Sequence, residues 1–287
     1  MTIVWTIGAA QPQTDLILRG VALGCIVRRT NIPHRLIHSL RSGRLGVATQ
    51  VKRGPLRVGS EHRFFAVMAF IIVAATFVGF APSYYLAPMF GARPLSILLH
   101  VHGVIFTAWI LLYVAQTALI AAGRTDIHRI VGPAAVVVAM VMVPLGVATA
   151  IITKQVAAAH HVPPQGPPLV FPLGAILTFA VLVGAGVAMR KRSAWHKRLM
   201  LLGTAAILTT PLARITRFTH IGLSPAYGGM VLTDIMLAAL AIYDVKSRGK
   251  LHPATTWGGG FFVATQALRI VINATPAWQA FAKSLTG

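Results

Sequence analysis

Seven stretches of about 20 mostly apolar residues recur along this chain, and that repetition limits its fold more than any other feature. A helix rises about 1.5 Å per residue, so such a stretch crosses the roughly 30 Å hydrocarbon core with its backbone groups bonded internally. The stretches are residues 64–82, 97–121, 132–153, 170–189, 199–221, 228–245 and 258–280, the last being the least apolar. The expected fold is all-α: a polytopic transmembrane bundle of about seven spanning helices over residues 61–287. Composition agrees, since 56% of the 287 residues are hydrophobic and only 11% are charged, a balance foreign to water-soluble domains.

The charged residues are unequal in sign: 26 Lys and Arg face 5 Asp and Glu, for a net charge of +21. Nucleic acid is not needed to explain this excess, because the cations cluster between the apolar stretches, where anionic lipid headgroups meet them. Arg124 and Arg129 separate the second and third stretches, Arg190 to Arg198 the fourth and fifth, and Lys246, Arg248 and Lys250 the sixth and seventh. The alternate loops are nearly free of positive charge, with Arg93 and Lys154 at their edges. The positive-inside rule therefore predicts a cytoplasmic N-terminus and basic loops, with the C-terminus outside.

Residues 1–60 form a basic arm without sustained periodicity, expected to lie outside the folded unit. An arginine-rich, acid-poor leader of this kind also matches an organelle transit peptide or a start site placed too far upstream. The single cysteine, Cys25, lies in this arm, so neither an intrachain disulfide nor a multi-cysteine metal site is available.

A short repeat marks the basic loops. Arg124-Thr-Asp-Ile-His128, Lys191-Arg-Ser-Ala-Trp-His196 and Arg248-Gly-Lys-Leu-His252 each precede a new apolar stretch. Pro144-Leu145 and Pro211-Leu212 follow the first two histidines at similar distances, which suggests three related helix hairpins.

Charged groups inside apolar stretches are costly and usually face partners within a bundle. Asp234 and Arg269 fall near the midplane, Arg214 slightly outward and Arg217 one turn further out. Asp234, the only acid at that depth, is expected to form a structural ion pair with Arg214 or Arg269. His102 and His220 lie in the same outer half. His102 shares a helical stripe with Trp109, Tyr113 and Gln116, whereas His100 points to another face.

Three readings of this cluster follow. His102 and His220 provide ligands for a haem b or a metal in electron transfer, with Arg214 and Arg217 meeting the propionates. Alternatively, the cluster binds a small anion or organic acid in a transporter or sensor, with Pro211 breaking the fifth span to line the site. In the third reading these groups are non-catalytic interhelical contacts. His128, His196 and His252 form a conceivable three-histidine inner cluster, although Thr125 or Asp126 and Ser193 as helix caps give them an interfacial role. No phosphate-gripping loop, zinc-protease motif or nucleophile elbow is present, so no hydrolytic or ATP-driven activity is expected.

At His100-Val-His-Gly-Val-Ile-Phe-Thr-Ala-Trp109, Gly123-Arg-Thr-Asp-Ile-His-Arg129, Trp195-His-Lys-Arg-Leu-Met200 and Arg248-Gly-Lys-Leu-His-Pro-Ala254, the chain resembles a family of uncharacterised bacterial multi-pass membrane proteins. The resemblance spans residues 62–280. It implies an inner-membrane location and a shared unit that leaves out the first 60 residues, and it implies no activity.

Overall fold

A computed structural model describes residues 56–92, 94–162, 166–219 and 224–287. Residues 1–55 of the N-terminal arm, including Cys25, lie outside them, as do Arg93 and His220. Among the described residues every regular element is helical: α1 (Leu56–Phe80), a π-helical turn (Ala81–Tyr85), a 3₁₀ turn (Ala87–Phe90), α2 (Ile97–Ala121), α3 (Thr125–Ala159), α4 (Val170–Ala188), α5 (Ser193–Ile207), α6 (Thr209–Thr219), α7 (Pro225–Arg248), α8 (Pro253–Asn273) and α9 (Pro276–Thr286). The first described helix, α1, begins at Leu56.

Helix ends follow local chemistry. Ser96 caps α2 by accepting a hydrogen bond from the Leu99 amide, and Pro225 opens α7 where no backbone donor is required. Gly123 ends the α2 turn at φ +74°, a conformation open to glycine, and lets the Arg124 amide donate back to the Leu119 carbonyl. The repeated basic loops cap differently from expectation: Thr125 and Ser193 occupy the first helical positions, and no side chain caps either helix. At the third loop His252 is itself the cap, its Nδ1 accepting from the Ala254 amide at 3.0 Å.

Among the described residues five helices are long and apolar enough to cross a membrane, and α5 with α6, bent by 48°, makes a sixth span if the pair is one broken crossing. The seventh expected stretch is not one continuous helix. Thr275 accepts a hydrogen bond from the Trp278 amide and Pro276 opens a new helix, so residues 258–280 are divided between α8 and α9. The α5–α6 break has a similar cause. Pro211 has no N–H to give the Ile207 carbonyl one turn back, and the helix bends there.

Trp109 of α2, Met142 of α3, Phe179 of α4, Leu202 of α5 and Phe262 of α8 form part of one core, joined by Ile72 of α1. Large apolar side chains also cover the outside: Phe70 is 69% exposed and Ile130 77%. An apolar core inside an apolar exterior identifies a bundle whose solvent is lipid.

Candidate functional site

A cavity of about 210 Å³ opens between the π-helical turn, α2, α4 and α6, at the end of the bundle opposite the basic loops. Pro82 sits in the π-helical turn and cannot donate to the Val78 carbonyl, so the ladder widens there, and Ser83, Tyr84 and Tyr85 face the cavity. Gly103 allows Tyr84 to lie against α2, because an added Cβ would stand 2.5 Å from its ring. The Tyr85 and Thr107 hydroxyls share a hydrogen bond at 2.8 Å, and the Tyr84 hydroxyl donates to the His100 carbonyl at 3.3 Å.

Two nitrogen-bearing side chains line this cavity. Arg214 donates through Nη1 to Ser83 Oγ at 2.8 Å and lies over the Phe80 ring at 4.8 Å. His102 stacks on Phe106 with ring centroids 4.0 Å apart, and its buried Nδ1 has no hydrogen-bond partner. Ile207, Leu208 and Pro211 complete the wall, placing the helix break at the cavity. The arrangement offers one cation, an imidazole with a free ring nitrogen and several hydroxyls on mainly apolar walls. Such a surface suits a small molecule with one negative end.

The other expected site residues fall elsewhere. Arg217 is exposed and does not line the cavity; it lies one turn past Arg214, beyond the rim. His220 lies outside the described residues. Asp234 makes no ion pair with Arg214 or Arg269 within 4.0 Å, because Arg214 is engaged by Ser83 and Phe80 while Arg269 turns its Nε back to the Thr265 carbonyl. His100 is exposed, whereas Trp109 and Tyr113 are buried on the His102 stripe.

The haem expectation needs His220, which lies outside the described residues. The cavity volume of about 210 Å³ falls below the ~300–1,000 Å³ of pockets for drug-sized ligands. Among the described residues His102 is the one histidine lining the cavity.

A buried polar cluster at the basic end escaped sequence reasoning. Arg198 and Asp244, each 0% exposed, form a two-pronged ion pair, with Arg198 Nε donating to Asp244 Oδ1 at 3.0 Å. Thr255 Oγ1 and the His252 amide donate to the other carboxylate oxygen. Arg198 also donates to the Ala194 carbonyl, and Glu61 of α1 pairs with Lys197. Four helices therefore converge on one carboxylate–guanidinium pair. The helix phase carried a signal: Arg198, Leu201, Leu202 and Ala205 share one stripe, and Asp244 follows Leu240 by one turn. Both charges occupy core-facing positions.

The three loop histidines do not form one centre. The His128 and His196 rings meet edge to face at 6.2 Å, with His196 Nδ1 against the Gly186 carbonyl. His252 packs instead against Trp195. Burial, Arg198 and Arg248 hold its imidazole below the usual histidine range, consistent with the neutral Nδ1 that its cap requires. Among the described residues no group of three metal-binding side chains comes together. No family model, curated protein or solved structure matches this chain.

Proposed function

We propose that this chain is a seven-span protein of the bacterial inner membrane whose outer-half cavity binds a small organic monoanion for transport or sensing. The reading rests on one observation: Arg214 and an unpartnered His102 nitrogen line the same apolar-walled cavity beside a break in the bundle. A single guanidinium suits one carboxylate, and the Phe80, Tyr84, Tyr85 and Phe106 rings suit a compact apolar body. Helix breaks with freed backbone groups recur at substrate sites of membrane transporters. In this reading α8 is the seventh span, with α9 on the outer surface. The basic loops between three related hairpins face the cytoplasm and anionic lipid, as does the N-terminal arm.

Benzoate is a suitable probe and benzamide its neutral counterpart. Benzoate is expected to raise the thermal midpoint of the purified protein in lipid nanodiscs, and benzamide to leave it unchanged. A hydrogen bond to a charged group contributes about 1.5–3 kcal/mol, so Arg214→Gln should weaken benzoate at least tenfold. Equal stabilisation by both probes, or undiminished affinity in the variant, rejects the site.

A further inference from the structure

Arg269 belongs to another part of the bundle. It lies among α4, α7 and α8, against a different face of α4 from that lining the cavity. Its side chain passes Gly174, where even one added carbon would overlap its Cδ, so the guanidinium has little room to swing. Nε donates to the Thr265 carbonyl at 3.1 Å. The surrounding polar groups mostly engage one another: Thr178 donates to Thr265 Oγ1 at 2.9 Å, and Gln266 Nε2 donates to Thr233 Oγ1 at 3.1 Å. That leaves Arg269, 3% exposed, with a buried Nη1 that has no partner. Across from it, Asp234 has a buried Oδ1 that is likewise unpartnered.

The two charges feel each other electrostatically but do not touch. Arg269 and Gln266, both on α8, are the charged and polar side chains that act on Asp234. Asp234 and Arg269 stand at matched depths, each about 20–25 Å along its helix from the basic end. A fixed guanidinium with a free donor, beside a carboxylate that compensates its charge without occupying that donor, is suited to exchange one negative partner for another.

We propose that Arg269 is an internal station for a small monovalent anion, such as a halide or short carboxylate, and that Asp234 takes up one proton when the anion binds. The exchange balances: the guanidinium keeps its charge, the anion brings one negative charge, and a proton from water forms an O–H bond on Asp234. Anion and proton enter together and the net charge inside the bundle does not change. The station does not require the outer cavity, so the two fail separately.

Chloride and acetate, added to the full chain in weakly buffered nanodiscs with gluconate as the background anion, provide the test. Wild-type protein should gain thermal stability and remove about one proton per bound anion, read with a pH indicator. One-proton linkage makes affinity fall about tenfold for each pH unit of rise. Arg269→Gln should abolish both signals with chloride. Asp234→Asn, nearly isosteric, should bind the anions without proton uptake and with affinity independent of pH. Absence of anion binding or proton uptake in wild-type protein overturns the proposal, as does unchanged proton uptake in Asp234→Asn. If Arg269→Gln does not fold, the Asp234→Asn comparison still decides the matter.

Discussion

Asp244→Ala is expected to lower the thermal midpoint of the purified protein by roughly 10 °C, the largest loss from any single charge removal in the bundle. The carboxylate holds Arg198 by two prongs and accepts from Thr255 and the His252 amide, all out of contact with solvent. Removing one partner from a buried pair leaves the other charge uncompensated, which costs about 3–5 kcal/mol; each kcal/mol moves the midpoint of a chain this size by about 2–4 °C. The double variant Arg198→Met/Asp244→Leu should recover most of the loss, since well-packed apolar replacements for a buried pair are often neutral. Asp126→Ala supplies the contrast. Its pair with Arg124 is exposed on both sides, and the substitution should leave the midpoint unchanged. Equal midpoints for Asp244→Ala and wild-type protein would show that this cluster does not hold the four helices.

Gly229→Val should prevent accumulation of the folded protein or cost at least as much as Asp244→Ala. A Cβ at Gly229 of α7 would overlap the backbone carbonyl of Thr209 and crowd Ala213, so the clash falls on main-chain atoms that cannot rotate away. Gly79 of α1 meets Pro211 in the same way on another side of α6, and Gly79→Val should behave similarly. Overpacking a close-fitting core costs about 1–3 kcal/mol when side chains can adjust, and here the immediate neighbours are backbone. Gly260 provides the control, because nothing lies within 4 Å of its added Cβ. Gly260→Ala should match or exceed wild type in yield and midpoint, since alanine favours a helix over glycine by about 1 kcal/mol. Wild-type yield and midpoint from Gly229→Val would exclude the close α6–α7 approach.

Much of the fold was legible because a membrane imposes a simple rule on sequence: long apolar runs become helices, and Pro211 interrupts one. The break at Thr275 was also written in the chain, as a capping residue followed by proline, but the apolar residues around it concealed the stop. Site geometry was less legible. Helical periodicity placed Trp109 and Tyr113 on the His102 stripe, both now found buried, yet it could not say which neighbouring helix would face them. Asp234 and Arg269 share a depth, but depth does not determine rotation about the helix axis or the route of a long side chain past Gly174. Arg198 and Asp244 were obscured by neighbouring loop charges, although their phase placed them inward, and 46 residues separate them. The π-helical turn that directs Ser83 and both tyrosines into the cavity depends on a single widened step after Pro82.

The contacts at Gly79 and Gly229 also have a mechanical consequence. With no glycine side chain at either crossing, the C-terminal part of α1, α6 and the start of α7 mesh closely against main-chain atoms and form one tightly fitted wedge. Arg214 and its Ser83 anchor belong to that meshed group, while His102 belongs to the opposite wall of the cavity.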